Sequence, residues 1–286
     1  MSETRGPAEE PLRTGGVHAN PNARMPTLPT LPTVIGWASA LLILLALFGA
    51  WELYADFGPV DPLLLPAPHD VAQALYEDRA LLWENFTVTA GEVLLGVVVA
   101  GAAGFACAIA LHLSLALRRS VYPLLVASQT IPIVLIAPLL VAWLGFGIAP
   151  KLVIIALVSF FPIVVTTLDA LARVDSETIK LLRTLDAPRL RVLRHVELPA
   201  ALPGLFSGAK VAIAVAVIGA VFAEYAGSSS GLGNLIQTAI PNLKTERAFA
   251  AVMILSAFAI ALFGLLTLAE RLFVPWAHNP PGGNTR

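Results

Sequence analysis

Long apolar runs separated by short polar segments are the dominant pattern of this chain. Six stretches each hold roughly 20 mostly apolar residues, the length that a helix needs to cross the hydrocarbon of a bilayer. They cover residues 34–54, 87–112, 122–143, 150–168, 205–226 and 248–274. The pattern predicts an all-α polytopic membrane protein with six transmembrane helices in a domain that covers residues 34–276.

The two ends of the chain have a different character. Residues 1–33 are polar and rich in proline and lack apolar periodicity, which predicts a disordered tail. Residues 277–286 form a short C-terminal tail. The first apolar run begins only after Thr33 and is long, which favours a membrane anchor over a cleaved signal peptide.

Composition supports the membrane assignment. The 286 residues are 57% hydrophobic and 13% charged, whereas an ordinary globular domain carries about 25% charged residues. A net charge of −1 argues against a nucleic-acid partner, which normally requires a basic excess. Cys107 is the single cysteine, so the chain has no internal disulfide, and we interpret it as a packing residue.

Basic residues predict the orientation of the six helices. With the N-terminus inside the cell, only Arg79, Lys151, Lys244 and Arg247 lie in outside segments, and all other lysines and arginines fall on the cytoplasmic side. This is the bias of the positive-inside rule. Since six is even, both termini are expected in the cytoplasm of a multi-pass membrane protein.

Prolines interrupt two of the predicted transmembrane helices. Pro132 and Pro138 lie in the third and Pro162 in the fourth. Each removes a backbone donor and bends a helix. Such kinks are tolerated where neighbouring helices or a watery cavity satisfy the freed carbonyls, so they either reflect ordinary packing or shape a pathway.

Residues 169–204, between the fourth and fifth predicted helices, are unusually basic. Five of its cations would each cost about 3 kcal/mol in hydrocarbon, so we expect a cytoplasmic loop; they are Lys180, Arg183, Arg189, Arg191 and Arg194. SETIKLLRTL reads as an amphipathic helix with Ser176 as its N-cap and Pro188 as its stop. A second short amphipathic helix, RLRVLRHV, follows, and Pro199 and Pro203 are expected to turn the chain into the fifth transmembrane helix. The pair either rests on membrane lipid or docks a cytoplasmic protein.

This loop resembles the EAA loop of the inner-membrane permease subunits of bacterial ABC importers. Leu198 and Pro199 match the family's final Leu-Pro, Val196 stands at its isoleucine, and Asp186 stands at its glycine. KLL from Lys180 replaces the family's Glu-Ala-Ala. The aspartate implies a turn that tolerates a side chain.

Three further blocks resemble the nitrate, sulfonate and taurine branch of that family. They are LLLPAPHDVAQAL, IPIVLIAPLLVAWLGFGIAPKLVI and FAEYAGSSSGLGNLI. The phrases KLLRTLDAP, LFSGAKVA, AVIGAVFAEY and ERLFVPW look most like permeases for the pyrimidine precursor of thiamine and for riboflavin. The resemblance covers about residues 34–276.

The resemblance implies partners and a division of labour. It implies a homodimer with a pathway at the subunit interface, two copies of a cytoplasmic ATPase, and a periplasmic or lipoprotein binding protein that delivers substrate. The chain has no G-x-x-x-x-G-K-[ST] motif, so ATP is used by the partner, and the chain is neither an enzyme nor a cofactor binder. The residues expected to couple to the ATPase are Arg183, Asp186, Ala187, Leu198 and Pro199.

Four residues near the end of the fifth predicted helix are candidates for a pathway or gate: Glu224, Tyr225, Ser228 and Gly231. An acid near membrane depth indicates a functional site, although Glu224 also fits a partly solvated interfacial carboxylate that pairs with a backbone or tyrosine donor. The glycines after it suit either a gate or a plain loop.

The remaining polar residues of the predicted helices suggest no chemistry. Lys210 is expected to reach the cytoplasmic surface, and Glu92 and Glu270 to lie at the interfaces. No nucleophile–base pair stands out. Metal-ligand spacing is absent, so no metal site is assigned, and three histidines are scattered at His69, His112 and His278.

These features favour the permease subunit of an ATP-driven importer, with a small heterocycle such as a thiamine pyrimidine precursor as substrate. Aliphatic sulfonates, taurine or nitrate are the alternative substrates. A secondary transporter is an alternative of another class, which predicts inverted repeats and several deep ionisable residues; the sequence suggests only a shallow Glu224. An intramembrane enzyme would need clustered catalytic groups, and none appears.

Overall fold

A computed structural model describes residues 31–61 and 63–277, with side chains from residue 39 onward. The two predicted tails therefore lie almost entirely outside the described residues. The chain divides into two units, residues 1–50 and residues 51–286. The described part of the first unit is a single apolar helical stretch, and the site discussed below lies wholly in the second.

Helices account for all the regular structure of the described residues. They are α1 Leu31–Phe57, α2 Pro68–Glu77, α3 Arg79–Leu113, α4 Leu115–Ser128, α5 Ile133–Leu144, α6 Ile148–Ala172, α7 Ser176–Thr184, α8 Arg189–Val192, α9 Leu198–Gly227, α10 Leu232–Ala239 and α11 Thr245–Phe273. A π-helical turn, Leu193–Glu197, joins α8 to α9, and a short 3-10 turn, Pro275–Ala277, follows α11. The all-α prediction is confirmed.

Five helical stretches in the described residues are long and apolar enough to cross a membrane. They are Ser39–Phe57, Arg79–Leu113, Ile148–Ala172, Arg189–Gly227 and Thr245–Phe273. A sixth crossing results if the bent pair of α4 and α5 counts as one. The exposed side chains along these helices are largely apolar, as a hydrocarbon environment requires.

The predicted third transmembrane helix, residues 122–143, is not one helix. α4 ends at Ser128, α5 begins at Ile133, and the two axes meet at 98°. Pro132 causes this break, because a proline disfavours helical backbone in the residue before it and is pre-organised for the start of the next helix. Pro138 and Pro162, by contrast, lie inside α5 and α6.

The centre of the second unit is formed by α3, α6 and α9, which pack closely through small residues. A side chain at Gly208 of α9 would come within 2.1 Å of Thr166 Oγ1 on α6. A side chain at Gly96 of α3 would come within 2.4 Å of Ile155 Cγ2, also on α6. Close backbone approach at small residues is how helices associate without a hydrophobic driving force. α6 therefore holds both neighbours in a fixed position.

Candidate functional site

Glu224, near the end of α9, is completely buried. Its Oε1 accepts a hydrogen bond from Thr89 Oγ1 on α3 at 2.6 Å, and its Oε2 accepts one from the backbone N–H of Gly233 at 2.5 Å. The expectation of a partly solvated interfacial carboxylate is therefore wrong. Glu224 is buried because the loop after α9 and the first turn of α10 fold back over it.

The loop that covers Glu224 depends on Gly231. This glycine has φ of 105°, and a Cβ there would lie 2.2 Å from Glu224 Oε1. Its N–H donates to Asn85 Oδ1 at 2.8 Å, and the next N–H, of Leu232, donates to Thr89 Oγ1 at 2.8 Å. We call Glu224, Thr89, Gly231 and Gly233 the loop anchor, because together they fasten the α9–α10 loop to α3.

A buried ion pair lies beside the loop anchor. Lys151 Nζ is 2.5 Å from Glu92 Oε1 and also donates to Ser228 Oγ at 2.7 Å. Lys151 is 7% exposed and Glu92 is 5% exposed. The sequence did not suggest that Glu92 and Lys151 pair inside the protein. Lys151 lies in the first turn of α6, where its side chain reaches α3 and the α9–α10 loop.

Ser228 links the ion pair to the backbone of the loop. Its hydroxyl accepts from Lys151 and donates to the carbonyl oxygen of Ser230 at 2.6 Å. The amide of Asn234 donates to the Ser228 carbonyl at 2.7 Å. The hydroxyl therefore has a fixed direction. The loop is held by Lys151 of α6 at Ser228, and by the neutral side chains of Asn85 and Thr89 of α3 at Gly231 and Leu232.

A cavity of about 690 Å³ opens next to the ion pair. Its polar wall consists of Glu92, Lys151 and Ser228–Ser230, and apolar residues that include Phe146 complete it. Glu92 Oε2 is buried and has no hydrogen-bond partner among the described residues. The arrangement is that of a small-molecule site, in which an apolar wall carries a few polar groups at fixed positions.

Three of the four predicted pathway residues come together at this site. Glu224, Ser228 and Gly231 belong to the loop anchor or the ion pair's contacts, whereas Tyr225 does not. Tyr225 packs on another face of α9, against the apolar cluster that includes Leu232. It follows Glu224 directly in sequence, and adjacent residues of a helix point in directions about 100° apart.

Sequence reasoning missed the residues of α3 and α6 that complete the site. Asn85, Thr89, Glu92 and Gly96 recur every three or four positions and form one buried stripe of α3. That spacing is readable in the sequence as a polar and small face within an apolar helix. Their partner Lys151 lies at the start of the fourth predicted helix, residues 150–168, where the sequence indicated only a cation on the outer side.

A second ion pair within the bundle joins α9 to α11. Lys210 Nζ contacts Glu270 Oε2, and the side chains are 17% and 10% exposed. The sequence did not suggest this pairing, and the depth of both residues relative to the membrane surface stays a prediction. The lysine finds a carboxylate on the facing helix, so neither charge needs to leave the protein.

The first four residues of the predicted cytoplasmic loop, residues 169–204, still belong to α6, which ends at Ala172, and α7 follows. Asp175, not Ser176, is its N-cap, and the two oxygens of Asp175 accept from the backbone N–H groups of Glu177 and Thr178 at 3.0 and 3.1 Å. Hydrogen bonds from the Thr178 hydroxyl and from these two amides hold the pKa of Asp175 below its ordinary value. The N-cap of α7 is therefore one residue earlier than predicted. Asp175 is preferred over Ser176 because its two carboxylate oxygens can cap two backbone amides at once.

α7 ends at Thr184, before Pro188, and Asp186 forms the turn. Asp186 has φ of 55°, the left-handed region that glycine prefers and that aspartate tolerates. The residue at the family's glycine position thus keeps the glycine-like backbone. Leu181, Leu185 and Leu190 are more than 60% exposed and form an apolar surface on this loop.

The predicted second helix is not separate from the fifth transmembrane helix. Arg189 to Gly227 is one continuous helical stretch, and neither Pro199 nor Pro203 turns the chain. The reason is the π-helical turn at Leu193–Glu197, where the N–H of Leu198 donates to the Leu193 carbonyl one residue further back than in an α-helix. This wider turn accommodates a proline ring that would otherwise meet the preceding carbonyls.

A polar contact fixes this stretch to the end of α3. Glu197 is 1% exposed and its Oε1 accepts from Arg189 Nη1 at 2.5 Å. His112 Nε2 lies 3.1 Å from Arg189 Nη2 and 3.2 Å from Glu197 Oε2. No role for His112 could be predicted from the sequence, because its partners lie 77 and 85 positions further along the chain.

The five residues predicted to contact an ATPase all lie in this region. Arg183 and Asp186 are exposed at the α7 turn, and Ala187 is half-buried beside them. Leu198 and Pro199 are half-buried at the start of α9. The two groups are separated along the chain by the α8 and π-helical stretch that Glu197 anchors.

One histidine lies near two carboxylates. His69 Nδ1 is 2.6 Å from Glu52 Oε1. One oxygen of Glu52, one oxygen of Asp56 and one ring nitrogen of His69 all lie within 4.8 Å of one another. The hydrogen bond with Glu52 raises the pKa of His69. Sequence spacing did not show this grouping, which the fold creates. Asp56 and His69 are exposed, and the contacts are those of an ordinary surface ion pair.

Comparison with known families and proteins gives a consistent result. Residues 94–275 match the model of the family described as "Binding-protein-dependent transport system inner membrane component". A probable ABC transporter permease protein of Haemophilus influenzae is 38% identical over 78% of this chain and 91% of its own length. A formylaminopyrimidine transport permease of Halalkalibacterium halodurans is 30% identical, covering 82% of this chain and 94% of the relative.

Other matches extend the same comparison. The taurine transport permease of Escherichia coli is 30% identical over 82% of this chain and 87% of its own length. The crystal structure of an amino acid ABC transporter has the same fold, with a TM-score of 0.55 and 15% identity over 71% of this chain and 97% of that chain.

Proposed function

Because the chain belongs to the family of binding-protein-dependent transport system inner membrane components, we propose that it forms the pathway for a small heterocycle, such as a pyrimidine precursor of thiamine. The chain is a multi-pass permease subunit of an ABC importer in the bacterial inner membrane, of the branch that includes sulfonate and taurine permeases. It is not an enzyme, since the ATPase of such a system is a separate subunit.

The observation that carries the substrate proposal is the 690 Å³ cavity beside the buried ion pair. Its polar wall combines hydroxyls, one carboxylate and one ammonium, which suits a neutral molecule with both donors and acceptors. The formylaminopyrimidine permease among its relatives supports this choice of substrate class. The alternative, an aliphatic sulfonate, taurine or nitrate, is favoured by the similarity to the taurine permease.

Partners follow from the family, which works with an ATPase and a substrate-binding protein in a dimeric arrangement. For this chain we expect two copies in one transporter, two ATPase copies in the cytoplasm, and a periplasmic or lipoprotein binding protein. The exposed leucines Leu181, Leu185 and Leu190, flanked by arginines, support docking of the ATPase on the loop of residues 169–204 rather than burial in lipid.

The orientation proposed here places both termini and that loop in the cytoplasm. The cavity then opens toward the outer half of the protein, since Lys151 and Ala172 lie at opposite ends of α6. They are separated by about 32 Å at 1.5 Å per residue. Substrate delivered from outside would meet the cavity first, and movement of the ATPase would act on the opposite end.

Reconstitution tests the proposal. The chain, its ATPase and its binding protein are placed in proteoliposomes, and ATP-driven uptake of a labelled aminopyrimidine is measured against uptake of taurine and nitrate. The proposal expects uptake of the aminopyrimidine that stops when ATP, the ATPase or the binding protein is omitted. Uptake of taurine or nitrate without uptake of the aminopyrimidine would contradict the proposed substrate class but not the role as an importer subunit.

A secondary transporter was the alternative of another class. The structure does contain buried ionisable residues: Glu224, which the sequence suggested, and also Glu92 and Lys151, which it did not. Membership of the permease family nevertheless assigns the energy source to a partner ATPase. Uptake driven by an ion gradient without ATP in the same proteoliposomes would contradict that assignment.

A further inference from the structure

The polar contact between the end of α3 and the start of the long helical stretch supports a further inference, which rests on the proposed docking of an ATPase on the loop of residues 169–204. Glu197 is 1% exposed, and Arg189 Nη1 donates to its Oε1 at 2.5 Å. His112 lies in the last turn of α3, with its Nε2 3.2 Å from Glu197 Oε2 and 3.1 Å from Arg189 Nη2. We call His112, Arg189 and Glu197 the α3 clamp.

His112 is the member of the α3 clamp that belongs to α3. Arg189 and Glu197 are the first and last residues of the segment formed by α8 and the π-helical turn, so their ion pair closes that segment on itself. A carboxylate that is almost completely buried requires such compensation. Depending on its tautomer, the Nε2 of the histidine is within reach of the guanidinium as an acceptor or of the carboxylate as a donor. The histidine therefore links this segment to α3.

The same two helical stretches are also joined at their other ends. In the loop anchor, Thr89 of α3 donates to Glu224 of α9 at 2.6 Å. At 1.5 Å per residue, about 34 Å of α3 separates Thr89 from His112, and about 40 Å of helix separates Glu197 from Glu224. The α3 clamp and the loop anchor thus hold α3 and α9 together near both ends of their length.

The packing between these two ends is of a different kind. Ala100 of α3 and Ala212 of α9 pack with Ile163 of α6 in one apolar cluster whose three members are fully buried. Apolar contacts of this kind are non-directional, whereas hydrogen bonds to charged groups have a fixed geometry. The small apolar residues therefore set the spacing of the helices, and the polar contacts at the two ends fix the position of α3 along α9.

We propose that the α3 clamp makes α3 follow the helical stretch of residues 189–227 when an ATPase displaces the loop, and that His112 is the positioning residue of this coupling. With the clamp intact, a displacement at Arg189 moves both helices that hold the α9–α10 loop, so the loop anchor is carried as one unit. Without His112, α9 moves relative to α3, and the bonds between the loop and α3 are strained.

Hydrogen exchange of the α9–α10 loop tests the coupling in the full-length chain bound to its ATPase in lipid nanodiscs. The amides of Gly231 and Leu232 donate to side chains of α3, so their exchange measures whether the loop stays attached to that helix. Exchange is measured without nucleotide and with ATP and vanadate, which trap the ATPase in one state of its cycle. For the wild-type chain we expect the same exchange in both conditions.

His112→Ala removes the link to α3 and leaves the ion pair of Arg189 and Glu197 intact. In this variant we expect the loop amides to exchange like wild type without nucleotide and about tenfold faster with ATP and vanadate, the factor that one hydrogen bond contributes. His112→Gln keeps a donor and an acceptor at the end of the side chain and should restore the wild-type result. His195→Ala is the matched control, because His195 is exposed and contacts the carbonyl oxygen of Arg191 within its own segment.

The outcomes separate the coupling from a structural role and from the substrate. Acceleration in His112→Ala that is equal with and without nucleotide would show a purely structural role and overturn the proposal. No acceleration in the folded variant, or the same acceleration in wild type or His195→Ala, would overturn it as well.

ATP-driven uptake of the aminopyrimidine by the complete wild-type transporter, measured in parallel, tests the proposed function. Absence of uptake together with the expected exchange pattern would contradict the substrate class and leave the role of the α3 clamp in place. Failure of the chain and its ATPase to associate would contradict the docking and, with it, the role of the clamp.

Discussion

Glu92 and Lys151 are both more than nine-tenths buried, whereas Arg183, Arg191 and Arg194 in the loop of residues 169–204 are exposed. The first two carry opposite charges on different helices and neutralise each other in direct contact. The three arginines carry one sign of charge and make no ion pair within the described residues. The charges of this buried pair are thus compensated by each other. The exposed charges on the loop can interact only with water, lipid or a partner.

This difference predicts which substitutions should lower the stability of the folded chain and which should weaken its binding to a partner. A buried ion pair contributes little net stability when intact, but removal of one partner leaves the other charge buried and unpaired. An exposed side chain costs the folded chain almost nothing when it is changed. Its effect appears only when a partner is bound.

The largest expected effect is at the buried ion pair. Lys151→Met leaves Glu92 as an uncompensated buried charge and should destabilise the protein by about 3–5 kcal/mol. Thermal unfolding in detergent measures it, and adding Glu92→Gln should restore most of the loss. Lys180→Met, at an exposed lysine of α7, is the control. An equal loss from both substitutions would remove the distinction between the two regions.

A change in assembly is expected at the exposed loop. Leu185 is 71% exposed, so Leu185→Asp should leave thermal unfolding within about 0.5 kcal/mol of wild type. Burial of a leucine against a partner is worth about 1.5–3 kcal/mol, so affinity for the cognate ATPase should fall about 10- to 100-fold. Surface plasmon resonance with the purified ATPase measures it. Thr184→Asp adds the same charge at the neighbouring exposed residue, and an equal loss there would show an electrostatic effect in place of apolar docking.

The two left-handed turns should respond in opposite directions. Gly231→Ala forces a side chain into φ of 105° against Glu224 and should cost about 2 kcal/mol or more. Asp186→Gly removes the strain of a side chain at φ of 55° and should stabilise the protein by up to about 1 kcal/mol. Chemical unfolding of the two variants compares them. Destabilisation by Asp186→Gly would mean that contacts of the aspartate side chain stabilise the turn by more than its left-handed backbone conformation costs.

The smallest effect is a dependence on pH at the cap of α7. The folded-state pKa of Asp175 is lowered from its ordinary value of 3.8. Its contribution to the helix is therefore fully present above that value and is lost as the pH falls through the lower folded pKa. Hydrogen exchange of the Glu177 and Thr178 amides should accelerate over that window relative to amides in α6. In Asp175→Asn the acid-induced acceleration of exchange should disappear. If the acceleration persists in that variant, a group other than Asp175 causes it.

The sequence predicts the membrane helices well because their signal is local. A run of about 20 apolar residues is sufficient to identify a crossing. Four of the six predicted stretches lie within single continuous helices, and a fifth, residues 248–274, passes the end of α11 by one residue. The failures also have local causes. Pro132 breaks the third predicted helix, while Pro199 does not break the fifth because a π-helical turn precedes it.

The candidate site was less predictable because it depends on distant contacts. Glu224, Ser228 and Gly231 stood out as an acid and small residues at the end of an apolar run. Glu92 and Lys151 are separated by 59 positions, and neither residue alone suggests a partner. Only the packing of α3 against α6 shows that both are buried, and that packing depends on close approaches such as Gly96 against Ile155.

The continuous helical stretch from Arg189 to Gly227 has a mechanical consequence. Glu197 and Glu224 lie on one rod, about 40 Å apart at 1.5 Å per residue, with no flexible linker between them to absorb displacement. A partner that pushes or twists the loop at Arg189 therefore moves the far end of the same rod, where Glu224 holds the α9–α10 loop against α3. The π-helical turn at Leu193–Glu197 lies between the partner's contact site at Arg189 and the rest of α9. Its stiffness therefore determines how much of a displacement at Arg189 reaches Glu224.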